Sequence, residues 1–134
     1  MKARTRKERE SIFPLRTLIA HTDETFTEAV FHDMACVQKT IGAKSSNSVK
    51  CVVGSKEEVF IYNIKAPKKQ LSPTIIIRKE FPGITSETET VDIKLYGTVV
   101  ISAFDPNTED FRSLTQKEIR NILENFSENS KQGE

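Results

Sequence analysis

One alternating run constrains the fold of this chain more than any other feature. Residues 90–104 (TVDIKLYGTVVISAF) alternate apolar and polar side chains on both sides of Gly97, except at Val100 and Phe104. When a pattern repeats every two residues, successive side chains lie on opposite faces of a β-strand. The run therefore predicts a long strand with one buried face and one solvated face, as antiparallel sheets allow, and with a bend or bulge at Gly97. The apolar set is Val91, Ile93, Leu95, Val99 and Ile101, and the polar set is Asp92, Lys94, Tyr96, Thr98 and Ser102.

Three shorter runs before it also have the composition of strands. They are residues 49–53 (VKCVV), 59–66 (VFIYNIKA) and 74–81 (TIIIRKEF), and each is bounded by turn residues. The short connection between the first two predicts an antiparallel hairpin. Residues 12–20 are apolar but interrupted by Pro14, which predicts an irregular or edge strand.

Two capping-box patterns predict helices. Thr25 and Glu28 precede apolar residues at helical spacing, which predicts a helix over residues 25–41 that ends at Gly42, with strands as the alternative. Thr115 and Glu118 open a second helix, in which Leu114 and Ile119 form a hydrophobic staple. The apolar face of this second helix carries Ile119, Ile122, Leu123 and Phe126.

These elements predict one domain of the α+β class. A chain of 134 residues has the usual length of a single domain. The expected architecture is an antiparallel β-meander with a helix before it and a C-terminal helix packed on one face. We expect a basic flexible arm over residues 1–11, the α+β domain over 12–126 and a polar tail over 127–134.

Charge is unevenly distributed along the chain. The net charge is +1, yet residues 1–16 carry +4 and residues 105–134 carry −3. A basic beginning suggests a polyanionic or acidic partner, and a solvated arm is the alternative. No apolar run approaches the roughly 18 residues of a membrane span, so no membrane partner is expected. The two cysteines are expected to be reduced thiols.

The residues that could carry catalysis or bind a metal form no recognisable motif. His32 and Cys36 are four residues apart, and Cys51 could approach them, but a zinc site would need His21 as a fourth ligand and no CxxC pair is present. No local pattern supplies a base for either cysteine. We therefore expect no catalytic residues, no bound metal and no cofactor. An enzyme would require a cleft that gathers His21, His32 and a carboxylate.

The polar face of the predicted sheet collects cations and an aromatic ring. Lysines there would neutralise phosphates, and a tyrosine would stack on a base, which is the chemistry of RNA binding. An ordinary solvated face with paired lysines is the alternative. The candidate RNA-binding residues are Lys50, Asn63, Lys65, Arg78, Lys94 and Tyr96.

The order of elements from residue 48 onward resembles that of single-stranded RNA bacteriophage coat proteins. The resemblance covers SVKCVVGSKEEVFIYNIKAPKK (48–69), TVDIKLYGTVVISAF (90–104) and TQKEIRNILENF (115–126). It implies interlocked dimers in which each C-terminal helix lies on the partner's sheet and the inward sheet face binds RNA. It also implies capsid contacts from the loops at residues 70–73 and 82–89.

The leading hypothesis from the sequence is a non-enzymatic, RNA-binding structural protein, a coat subunit in a virion. We expect it to form a homodimer or a larger homo-oligomer. The alternative is a protein-interaction or assembly adaptor module that binds no nucleic acid. The expected location is a virion or the cytoplasm.

Overall fold

The computed structural model describes residues 12–54, 56–66, 72–82 and 88–132. Their strands are β1 (Leu15–Ala20), β2 (Phe26–Phe31), β3 (Val49–Val53), β4 (Glu58–Asn63), β5 (Ile75–Pro82), β6 (Thr88–Leu95), β7 (Val99–Asp105) and β8 (Asp110–Arg112). The helices are α1 (Met34–Thr40) and α2 (Gln116–Gln132), with a 3-10 turn at Ser46–Ser48. Antiparallel strands with a C-terminal helix confirm the predicted α+β class.

The strands form two antiparallel sheets. The main sheet has the order β2-β1-β7-β4-β3, and β8 pairs with β7, while β5 and β6 form a separate two-stranded hairpin. The strands therefore do not follow a plain meander, because β7 is inserted between β1 and β4. The predicted arm at residues 1–11 lies outside the described residues, as do most of the two loops expected to make capsid contacts.

The predicted long strand over residues 90–104 is two strands in two different sheets. Gly97 has a φ of 77°, a left-handed conformation that ends the extended chain between β6 and β7. A Cβ atom at Gly97 would lie 2.9 Å from the Cβ of Ala66, so the chain there also passes close to the segment after β4. The predicted bend is confirmed, and it redirects the chain from the hairpin into the main sheet.

Both faces of the main sheet are buried at its central strands β1, β7 and β4, which corrects the expectation of one solvated face. The first cluster joins one face to the β5–β6 hairpin and α2, and it includes Phe60, Ile101 and Ile119. The second cluster joins the other face to α1, and it includes Ile61 and Val100. The alternating first part of the 90–104 run is β6 of the hairpin. The second part is β7, a central strand with both faces covered. Even Ser102 is fully buried there, and its hydroxyl donates to the Arg112 carbonyl at 2.8 Å.

The predicted helix over residues 25–41 is wrong in its first half. Residues 26–31 form β2, which pairs with β1 over six consecutive positions. The β-branched and aromatic side chains of this segment suit a strand, and sheet pairing outweighs the apolar spacing. The helix begins only after Asp33, whose carboxylate caps it by accepting from the Cys36 N–H at 2.8 Å.

The predicted C-terminal helix is confirmed together with its cap. The Thr115 N–H donates to Glu118 Oε1 at 3.0 Å, and the Glu118 N–H donates to Thr115 Oγ1 at 3.2 Å. Leu114 and Ile119 are buried in the first cluster, as the staple requires. Leu123 is 38% exposed and not in the core. The helix continues to Gln132, beyond the start of the polar tail predicted from residue 127.

Candidate RNA-binding recess

A small recess lies where the main sheet meets the β5–β6 hairpin, and we call it the tyrosine recess. Its volume is about 160 Å³, below the range of roughly 300–1,000 Å³ that is typical for pockets that enclose an organic ligand. It is an open surface depression that can contact part of a larger molecule. The lining residues come from the end of β4, the turn after it and the end of β6: Tyr62, Asn63, Ile64, Ala66, Lys94, Leu95 and Tyr96.

Contacts at Thr74 and Gly97 hold the β6 side of the tyrosine recess and bring it close to the turn after β4. The Thr74 N–H donates to the Leu95 carbonyl at 2.7 Å, and Thr74 Oγ1 donates to the Gly97 carbonyl at 2.6 Å. The close approach of Gly97 to Ala66 joins the β6 side to the turn after β4. The tyrosines at positions 62 and 96 therefore lie on backbone segments that approach each other closely at Ala66 and Gly97.

Three candidate residues adjoin the recess as cations. Lys94 lines it. Lys50 lies directly opposite Tyr62 in the β3–β4 pairing, so the two side chains share one face of the sheet. Lys65 is exposed in the turn that follows β4. Within the described ranges none of these lysines pairs with a carboxylate, and no carboxylate lines the recess.

Asn63 lines the recess but is buried, contrary to its expected place on an exposed face. Its Nδ2 donates to the Gly42 carbonyl at 3.1 Å, and its Oδ1 accepts from the Lys65 N–H at 2.9 Å. Both ends of the amide are thus occupied in holding the turn that carries Lys65. We therefore assign Asn63 a positioning role. The alternation along β4 correctly predicts that Asn63 and Tyr62 lie on different faces of the sheet. The face that carries Asn63 is also buried, however.

Arg78 does not line the recess, although it lies on the same outward face of the hairpin as Lys94. Its Nε donates to Asp92 Oδ1 at 3.0 Å across the β5–β6 pair. The hydrogen bond from Arg78 lowers the pKa of Asp92 and raises that of Arg78. The charge of Arg78 is therefore balanced by a direct ion pair, and Lys94, two residues from Asp92 on the same strand, also contributes to lowering the Asp92 pKa.

Tyr62 belongs to the site, although the sequence analysis did not select it. Aromatic rings at Tyr62 and Tyr96 beside free cations offer surfaces for stacking and charges for phosphates. The hairpin register could have identified Tyr62, because a turn at residues 54–58 places position 62 opposite Lys50.

The residues considered for catalysis or metal binding stay apart. His21 Nε2 lies 2.9 Å from Thr27 Oγ1 in the turn between β1 and β2. A hydrogen bond to Asp33 raises the pKa of the Cys36 thiol, and desolvation raises that of Cys51, so neither is an activated thiolate. Across the described residues no three His, Cys, Asp or Glu side chains are grouped to hold a metal ion.

No helix in the described ranges combines the length and the apolar character needed to cross a bilayer. Comparison with protein-family models, with curated proteins and with solved structures finds no match for this chain.

Proposed function

We propose that this protein binds single-stranded RNA at the tyrosine recess and acts as a non-enzymatic structural protein. The observation that carries the proposal is the grouping of two tyrosines and Lys94 along a depression that no carboxylate of the described residues lines, with Lys50 opposite Tyr62 and Lys65 in the adjoining turn. In this mechanism, Lys50, Lys65 and Lys94 neutralise phosphates while an unstacked base lies on a tyrosine ring.

The size and openness of the surface support a single strand over a duplex. The depression has room to contact a base edge or ring, and bases in a duplex are stacked and hidden from aromatic side chains. Three lysine contacts to a single strand give a slope of log K against log salt near −2, since each neutralised phosphate contributes about −0.7.

Charge reversal at Lys65 and Lys94 tests the proposal. Lys65→Glu with Lys94→Glu should weaken binding of a labelled single-stranded RNA by about tenfold or more at low salt and make the salt slope shallower. Fluorescence anisotropy across a salt series measures both. Lys56→Glu with Lys117→Glu is the matched control, because both lysines are exposed, away from the recess, and change the net charge equally. Equal affinity of the two double variants would refute the proposal.

Replacing a tyrosine separates stacking from charge in the same assay. Tyr96→Leu should weaken binding by about 1–3 kcal/mol while leaving the salt slope unchanged, because a stacked base is lost but no phosphate contact is. If the Tyr96→Leu variant binds RNA as tightly as the original chain, base stacking on Tyr96 is not part of the mechanism.

A second function, assembly through sheet edges, is favoured by a separate observation. The outer strands of the main sheet, β2 and β3, each have a neighbour on one side only among the described residues. Open edges of this kind can pair with another strand. A purified chain that assembles but retains no nucleic acid, judged from its absorbance at 260 and 280 nm, would favour this function over RNA binding.

A further inference from the structure

The hydrogen-bond pattern of β3 determines which of its backbone groups face outward. The Gly54 N–H donates to the Glu58 carbonyl at 2.7 Å, and the Ile64 N–H donates to the Ser48 carbonyl at 2.9 Å. Bonded positions alternate along an antiparallel pair, so the even-numbered residues of β3 use their backbone groups toward β4. The odd-numbered residues, Val49, Cys51 and Val53, therefore direct their N–H and carbonyl groups away from the sheet.

The Val49 N–H donates to the Ser46 carbonyl of the 3-10 turn, and the Val49 carbonyl and the backbone groups of Cys51 and Val53 have no backbone partner in the described part of the chain. The three residues are placed symmetrically about Cys51, because Val49 and Val53 lie two positions on either side. A second copy of β3, related by a two-fold axis at Cys51, would oppose Val49 to Val53, Cys51 to Cys51 and Val53 to Val49. The Cys51 pair can exchange two backbone hydrogen bonds, and each Val49–Val53 pair can form one, from the Val53 N–H to the Val49 carbonyl, in the pattern of an antiparallel ladder.

The side chains of β3 also complement those of a second copy. On one face the opposed residues are valines and cysteines, and Val49 and Val53 already pack at the border of the second core cluster. On the other face Lys50 would oppose Val52 of the second copy, so no like charges are directly opposed. The apolar cluster would continue across the junction, with both lysines left at the solvated surface.

The other open edge lacks this self-complementarity. The His21 N–H donates to the Thr25 carbonyl at 2.9 Å, so the same alternation directs the backbone groups of Phe26, Glu28 and Val30 outward from β2. A two-fold axis at the centre of that set would oppose Glu28 to Glu28, which is unfavourable. A β2-to-β3 contact would be heterologous and would leave an open edge at each end.

We propose that two copies of this chain pair through β3 and join their main sheets into one continuous antiparallel sheet. The occupant of the open β3 edge is thus a second copy, held by backbone hydrogen bonds and an apolar ladder centred on Cys51. Because Lys50 lies on β3, the pairing also brings Lys50 of the second copy beside that of the first. The inference stands on edge geometry and is independent of RNA binding.

Cysteine cross-linking tests this pairing directly. Opposed residues of a bonded antiparallel pair have Cα atoms about 5.5 Å apart, so a short bismaleimide should link Cys51 to Cys51. Full-length chain with Cys36→Ser should give a cross-linked dimer on a denaturing gel. Full-length chain with Cys51→Ser should stay monomeric on the gel, although Cys36 is also exposed. Equal cross-linking through either cysteine would indicate random collision and overturn the proposal.

Oligomeric state distinguishes the two edges. Light scattering with size-exclusion chromatography should give about twice the chain mass of 15.2 kDa. Cys51→Lys should return the chain to a monomer by placing like charges opposite each other. Val30→Lys on β2 is the matched control, since Val30 is 54% exposed, and should remain dimeric. Circular dichroism confirms that both variants fold. A monomeric original chain, or a dimer broken by Val30→Lys alone, would overturn the proposal.

Discussion

At the scale of single residues, Gly97 does the most to shape the candidate site. Its left-handed φ of 77° ends β6, and its closeness to Ala66 joins the two halves of the tyrosine recess. An L side chain at this position would meet a conformational cost and a steric one. Gly42 has a similar φ of 71°, but a Cβ there would meet nothing within 4 Å. A side chain at Gly42 would therefore meet only the conformational cost, whereas one at Gly97 would meet both the conformational and the steric cost.

Gly97→Ala should destabilise the fold more than Gly42→Ala does. We expect a loss of about 1 kcal/mol for Gly42→Ala from backbone conformation, and about 2–3 kcal/mol for Gly97→Ala, because the turn after β4 must also shift. Urea unfolding of both variants measures the difference. Equal losses would mean that the close approach to Ala66 does not constrain the fold.

At the scale of elements, two identical sequence patterns have different outcomes. Thr115 and Glu118 form the predicted capping box of α2, whereas Thr25 and Glu28 lie at the start of β2. Near Thr25 the side chain of Glu28 pairs instead with Arg16 at 2.7 Å across the β1–β2 hairpin. The local capping-box pattern is sufficient to predict helix α2, because this helix forms no strand pairing and only packs on a sheet. It fails where a neighbouring strand offers a complete ladder of backbone bonds.

The cap of α2 includes an ion pair that depends on pH. Arg112 donates to both carboxylate oxygens of Glu118, at 2.8 and 2.9 Å, and this bond lowers the pKa of Glu118 to about 2. A carboxylate with a depressed folded-state pKa stabilises the fold above its unfolded pKa of 4.5. That stabilisation is lost as the pH falls from about 4.5 toward 2.

Glu118→Gln removes this charge while keeping a side chain that can form the capping box. Because the pair is partly open to solvent, we expect a loss of about 1 kcal/mol at pH 7. The difference from the original chain should shrink as the pH falls below 4.5. Urea unfolding across this range measures it, with Glu124→Gln on the exposed face of α2 as the control. A difference that is constant with pH would contradict the role of the ion pair.

At the scale of the whole molecule, the sequence predicts the class of fold better than the arrangement of its strands. Hydrophobic period and turn residues are local, so strands β3 and β4 and helix α2 follow from them. The insertion of β7 between β1 and β4 depends on pairing between distant segments, which alternation does not encode. Val100 and Ile101 show the consequence, since they are adjacent in sequence and buried in opposite clusters.

The same distinction applies to the candidate site. Lys94 and Tyr96 could be selected from one strand, and the structure places both at the recess. The predicted exposure of Asn63 is wrong, because an alternating sequence pattern does not reveal that the second face of the sheet is also covered. Arg78 is a candidate from the sequence, but its ion pair with Asp92 depends on the register of the neighbouring strand, which the pattern of one strand does not give.

Chemical-shift mapping tests the central claim most directly. Single-stranded RNA titrated into isotopically labelled protein should shift backbone amides at Lys50, at residues 62–66 and at 94–98, which surround the tyrosine recess. Amides of α1, on the opposite side of the main sheet, should not shift. Shifts centred on α1 or β2, or no shifts at RNA concentrations that saturate binding, would contradict an RNA site at the recess.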